Sequence, residues 1–510
     1  MQPPHVSPRL AMKHPDTNRN DSVTKVGSAI RKMRGVIFVH SRGKVMKSII
    51  QAIFAFSVLA LAACDSSNDP AVIDAETFNI QVLHASADAP PVNVLIDGSP
   101  VLTDVDFKAG SGQLALAAGS YSVAVEGILP GGNATVIGPV SLDFAADTTY
   151  SVVALGNVAD IEPFVFSQPR ENPSAGNARI AVLHGAPDAP AVDVYVTLPE
   201  AILDGNSVPV GSFEFKGTIG PAEVPAGNYR IRVTLAGDAE TVVYDSGTVA
   251  LASGDDFFIT AVPSTIAGAS PISLVLLTGS GGAELPSADT KAALRVFHAS
   301  PDTPSVEDTA VDVVVNDNFD QPLVPGLQFT GVAGYVFVDP ATYNVKVTPA
   351  GNSGVIPINA DLTLAAGEAY DVLAVGTLAT LEPLVLNDDP RPVNTYAKVR
   401  IVHAAPAEAA ASVDIYVTAP GVDINDVDPT LAAVPFKANT GYIPLPASAD
   451  SATTYVVTVT PAGTKDAAIG PAEFAFFAGD VVTVVAIDAL GGGTPLGVIV
   501  QADSIIGGDT

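Results

Sequence analysis

From residue 77 onward the chain runs in short apolar segments, each broken by Gly, Pro, Asp or Ala-rich turns. Within the segments apolar and polar positions alternate, as in "VDVYV" (Val192–Val196), "VDIYV" (Val413–Val417) and "AGNYRIRV" (Ala226–Val233). A period of two places successive side chains on opposite faces of a strand. Val, Ile, Thr and Ala dominate these runs, and Leu/Glu/Lys-rich helical stretches are missing, so the pattern predicts an all-β protein.

The pattern repeats at domain length. A strand ending in His is followed by a Pro/Ala/Asp turn and a Val-rich second strand. The versions are "VLHASADAP" (Val82–Pro90), "VLHGAPDAP" (Val182–Pro190), "VFHASPDTP" (Val296–Pro304) and "IVHAAPAEA" (Ile401–Ala409). Their histidines stand at 84, 184, 298 and 403. Each copy continues to an aromatic pair (Phe107-Lys108, Phe215-Lys216, Phe329-Thr330, Phe436-Lys437) and then a strand opened by Tyr. A final turn and strand close it, as in "ADTTYSVVALG" and "AGEAYDVLAVG". Spacings near one hundred residues exceed those of solenoid repeats and match tandem β-sandwiches. The Tyr that opens a strand resembles the tyrosine corner of immunoglobulin-like domains. The expected fold is therefore four immunoglobulin-like or Greek-key β-sandwiches at 77–168, 178–278, 291–387 and 397–502. Pro-rich joints separate them, and together they predict beads on a semi-flexible rod.

Composition narrows the function classes. The 510 residues are 48% hydrophobic and only 15% charged, with 44 Gly and 41 Pro, which describes a folded, turn-rich chain. Net charge is −30, yet residues 1–45 hold nine basic against two acidic residues, so the rest is more acidic still. Such a surface repels phosphate backbones, and nucleic acid is not an expected partner. Acidity suits solubility, with calcium as the one cofactor it leaves open.

The basic leader runs into Met46-Lys47, an apolar stretch Ile49–Ala60 and Leu61-Ala62-Ala63-Cys64. A positive start, a short apolar core and small residues before the cut describe a secretory signal. "LAAC" resembles the lipobox of bacterial lipoproteins, which implies cleavage before Cys64 and lipidation of its thiol. Residues 1–63 are then leader and signal, with Met46 the better start, and 64–76 a polar tether. Cys64 is the sole cysteine, so no intramolecular disulfide forms. The expected address is the bacterial cell envelope, held to a membrane by lipid and open to an envelope or surface partner.

The scarce histidines are the obvious candidates for chemistry. Ile180, Val182 and His184 share one strand face, which places the ring at the rim of a core. Val192, Val194 and Val196 face that core from the next strand, with Asp193 and Tyr195 outward. His84, Asp88, His184, Asp188, His298, Asp302 and His403 form a candidate structural or ligand rim. A rim imidazole is satisfied by a turn carbonyl or by the motif Asp, the structural reading. A metal reading is weakened because each copy supplies one His and no Cys. The acid also drifts, to Glu408 in the fourth copy, while the outward second-strand position holds Asn93 in the first copy and Asp193, Asp312 and Asp414 in the others. No G-x-S-x-G elbow, phosphate loop or H-E-x-x-H occurs, and Trp is absent, so no catalytic residue is assigned.

The signature V-x-H-A-S/A-P-D-A-P-A-V-D-V-Y-V resembles the opening of a bacterial domain-of-unknown-function family, DUF4397. The resemblance implies an extracytoplasmic β-sandwich and carries no activity or functional residue. The expectation is a non-enzymatic lipoprotein serving as spacer, interaction or adhesion module. The alternative is a protein that takes a cation or small ligand at the His/Asp rims.

Overall fold

The computed structural model describes residues 76–503 apart from 266, 267 and 269. The leader, the signal and Cys64 lie outside the described residues. The described residues form one compact unit. Its first eight strands are β1 (Thr77–His84), β2 (Val92–Ile96), β3 (Ser99–Val105), β4 (Leu114–Ala117), β5 (Gly119–Gly127), β6 (Ala134–Phe144), β7 (Thr148–Leu155) and β8 (Glu162–Pro169). They make two four-stranded sheets, β4-β1-β7-β8 and β3-β2-β5-β6, facing each other as a sandwich. Most neighbours are antiparallel, but β1 and β7 run parallel at the centre of their sheet, pairing Gln81 with Ser151 and Val82 with Val152. Alternation sends Ile80 and Val82 of β1 and Val152 of β7 into the sandwich, against Val94 and Val123 of the other sheet.

The same strand order recurs in three further sandwiches, between Asn177 and Leu285, Ala292 and Asp388, and Tyr396 and Ala502. Each repeats the central parallel pair, and no sheet takes strands from two sandwiches. The second adds a fifth strand, Gly282–Leu285, to its histidine-bearing sheet.

The expected beads on a rod are not what the chain builds. The outer faces of two histidine-bearing sheets pack against each other, so sandwiches one and two form a pair. Leu83, Val153 and Leu155 of the first meet Ala181, Leu183, Phe258 and Val275 of the second. Sandwiches three and four pair in the same way, Phe297, Leu373 and Val375 against Val402, Val485 and Ile487. The central strands are therefore covered on both faces, and all eight residues of Tyr396–His403 are buried. A strand buried on both sides carries apolar residues at odd and even positions alike, which is how "AVLH" and "RIVH" read. The joint between the third and fourth sandwiches also ties the pairs together. Arg391 donates to the Ala87 and Ala89 carbonyls at 3.1 Å and pairs with Asp106 at 2.6 Å.

Candidate functional site

The repeated motif is a corner built around its histidine. β1 ends at His84 and the chain must cross to the opposite sheet, which strips backbone partners from the turn. The imidazole replaces one of them. Nε2 lies 3.0 Å from the Pro90 carbonyl, just before β2, and Nδ1 accepts the Ser86 amide at 3.3 Å. The arrangement recurs with Nε2 of His184 on Pro190 (3.2 Å), His298 on Thr303 and Thr309 (3.1 and 2.9 Å) and His403 on Ala410 (2.6 Å). Nδ1 takes the amides of Ser300 and Ala405 in the third and fourth corners, both at 3.4 Å. A nitrogen facing a carbonyl must donate and one facing an amide must accept, which defines the neutral Nε2–H tautomer. Burial holds the pKa of His84, His298 and His403 below the ordinary value, against the opposing pull of those carbonyls. In these three corners both ring nitrogens are engaged by the turn itself, which leaves no lone pair for a metal.

The Phe-Lys pair clamps the same strand end from the other side. The amides of Lys108, Lys216, Thr330 and Lys437 donate to the carbonyls of His84, His184, His298 and His403 at 2.8–2.9 Å. Each of those four residues holds a left-handed φ of 67–69°, the turn that lets the next residue's carbonyl accept the histidine amide. Phe215, Phe329 and Phe436 stand edge-on to the imidazoles, with ring centres 6.2–6.4 Å apart. Their other side joins the contact between paired sandwiches. The lysines reach across it: Lys108 meets Glu284 at 2.6 Å, Lys437 meets Glu382 at 2.8 Å, and Lys216 pairs with Glu162.

The motif aspartates do not touch the histidines. Asp88 and Asp302 accept the amides of Val158 and Leu378 at 2.8 Å, fastening the corner to the loop after the seventh strand of their own sandwich. Asp188 instead receives Asn157 of the preceding sandwich at 3.4 Å. In the fourth corner Asp488 takes the Ala407 amide at 3.3 Å, while Glu408 lies in a 3-10 turn and is exposed. The second-strand acids are also structural. Asp312 accepts the Gly326 and Gly351 amides, and Asp414 those of Ala433 and Gly463, at 2.7–2.8 Å. Asp193 and Tyr195 do face away from the core, yet both are buried. Among the described residues no group of three or more His, Cys, Asp and Glu is disposed to hold a metal.

The chemistry that sequence reasoning passed over sits between sandwiches three and four. Arg295 and Arg400 occupy the outward position three residues before His298 and His403, and both are buried. Arg295 is bidentate to Asp371, at 2.7 and 2.8 Å, and also reaches Asp388 (3.2 Å) and Asp503. Arg400 pairs with Asp371 and Asp388 and takes the Asn387 carbonyl at 2.9 Å. Tyr335 and Tyr442 close the cluster by donating to Asp388. Three carboxylates share two guanidiniums. Burial pushes the Asp371 pKa up to about 6, although Arg295 beside it pulls the other way, and burial raises Asp503 likewise. The equivalent positions between sandwiches one and two are Gln81, bonded to Ser151 at 2.9 Å, and Ala181, beside Phe258. The signal was an arginine inside an apolar strand, in "ALRVFH" and "KVRIVH", which alternation alone treats as an exposed position.

Fold and corner together define a class: tandem all-β sandwiches whose signature motif is structural and whose histidine-bearing sheets pack in pairs. The chain belongs to the family described as Domain of unknown function (DUF4397), whose model matches residues 78–195, 200–308 and 305–416, well over half its length. The first match runs from β1 to Tyr195, inside the second strand of the next sandwich. No curated protein matches the chain. Among solved structures, "The Bacillus anthracis TIE protein" aligns at 11% identity over 81% of this chain and 68% of that one, with a TM-score of 0.14. The multi-modular glycogen-degrading pneumococcal virulence factor SpuA aligns at 11% identity over 56% of this chain and 38% of that one, also with a TM-score of 0.14.

Proposed function

We propose that the protein is a non-enzymatic lipoprotein of the bacterial cell envelope, anchored through Cys64, whose paired sandwiches serve as a spacer and interaction or adhesion module. The observation that carries the reading is the use made of the repeated signature. His84, His298 and His403 spend both ring nitrogens on their own turns, and the Phe-Lys pairs spend their side chains on the neighbouring sandwich. Conserving stiffness in this way suits a body that holds a surface at a set distance. The address rests on Met46-Lys47, the apolar run and Leu61-Ala62-Ala63-Cys64. An acidic exterior supports solubility outside the cytoplasm. Fractionation of cells producing the full chain tests the anchor. Cys64→Ser is expected to move the protein from membranes to the soluble fraction, and continued membrane attachment of that variant would overturn the anchor.

A further inference from the structure

Sandwich two is less completely filled than sandwiches one and three. Between its sheets lies an apolar cavity of about 190 Å³, walled by Val182, Val194, Phe213, Ile231, Ile259 and others. The corresponding space is about 30 Å³ in the first sandwich and about 70 Å³ in the third. The space lies beside a short edge strand. Gly211–Phe213 is three residues long, against seven in β3, four in Val324–Leu327 and five in Leu431–Pro435, so the second sheet stops short beside the cavity. Gly211, having no Cβ, lets Ile219 lie across that edge: a Cβ there would fall 2.3 Å from Ile219 Cδ1.

The chain leading to this edge is itself unusual. Leu198, Ile202 and Val208 are 69%, 88% and 83% exposed in a protein whose other large apolar residues are mostly covered, and the loop they occupy ends at Val210 in the cavity wall. Val210, itself half exposed, brings this apolar segment to the cavity wall, and exposed apolar surface there marks a place where apolar matter is met. His184, also in the wall, is the one motif histidine whose Nδ1 lacks a partner among the described residues, so this rim is the least tightly closed of the four.

We infer that sandwich two binds an uncharged, hydrocarbon-like molecule of about the bulk of a substituted benzene, entering at the short edge strand between the 198–210 loop and Ile219. An apolar cavity of about 150 Å³ stays dry and accepts benzene, so this one suffices for a ring with a small substituent. Almost no polar surface lines it, which excludes a charged or strongly hydrogen-bonding ligand.

Benzene titration of protein from residue 65 onward, labelled at isoleucine methyls, reads this directly; that length contains the whole compact unit. Saturable shifts are expected at Ile180, Ile231, Ile259 and Ile272, with a dissociation constant of ~1 mM or tighter. Ile401 and Ile415, in the core of the fourth sandwich, are expected to stay unmoved. Filling the space with Ala261→Leu, or with Val194→Phe, is expected to weaken binding at least tenfold. Absence of shifts up to benzene saturation, or equal shifts at Ile401 and Ile415, would overturn the inference, as would undiminished binding by a folded filled variant. Should both variants fail to fold, the methyl pattern of the unsubstituted protein decides.

Discussion

At the scale of single residues, the histidine corner makes the fold sensitive to acid. His84, His298 and His403 have folded pKa values below the ordinary 6.5, so the folded state binds fewer protons than the unfolded chain in that window. Their contribution is complete above pH 6.5 and is lost as pH falls through the lower folded values. Urea unfolding compared at pH 7.5 and 5.5 is expected to show the stability gap between the unsubstituted protein and His298→Ala narrowing at the acid end. At pH 7.5 that substitution is expected to cost about 2–4 kcal/mol, because two turn carbonyls lose their donor and a ring-sized gap opens beside Phe329. An unchanged midpoint would contradict the structural role. The corner was partly legible: the face shared by Ile180, Val182 and His184 follows from alternation, as does a turn carbonyl as partner. The aspartates were not, because their partners lie some 70 residues away, on Val158 and Leu378.

At the scale of strands, the expected solvent face of the histidine sheet is instead a contact. Leu183 is fully buried among residues of two sandwiches. Leu183→Asp would place an unpaired carboxylate there, at a cost of several kcal/mol. The first pair is expected to open, raising the radius of gyration in small-angle scattering and exposing the 170–176 joint to protease. A folded variant with unchanged scattering would count against the pairing. The Lys216–Glu162 ion pair matters less, since it is half exposed on both sides and such a pair contributes at most about 1 kcal/mol. The Tyr-opened strands did follow the sequence reading. Tyr121, Tyr229 and Tyr343 each donate to the carbonyl four residues back, at 2.6–2.7 Å. A tyrosine corner closes locally, so local sequence reveals it.

At the scale of the molecule, the two pairs are held by different chemistry, Phe258 and Ala181 in one and the Arg295/Arg400 cluster in the other. Asp371 and Asp388 lie on sandwich three, so parting the second pair takes from Arg400 of sandwich four both carboxylates that pair with it. Arg295→Met is expected to lower the stability of the second pair by about 3–5 kcal/mol in urea unfolding, because Asp371, Asp388 and Asp503 then share one arginine. The Asp371 shift acts in the opposite sense to the histidines. Its folded pKa is raised to about 6 from 3.8, so its contribution is greatest below 3.8 and is lost as pH rises through about 6.

By itself the sequence determined the strands, their number of repeats, the corner at each histidine and the tyrosine closures. All of these rest on period-two alternation and on contacts within a few residues, which a linear reading sees. Only the tertiary structure decided that β1 lies parallel to β7, that sandwiches pair back to back, that two arginines are buried between them and that the second core is incompletely filled. Those outcomes depend on which faces meet across the fold and on how completely an edge strand covers a core. Hydrophobic burial is non-directional, so the apolar runs show that both faces are covered without naming what covers them.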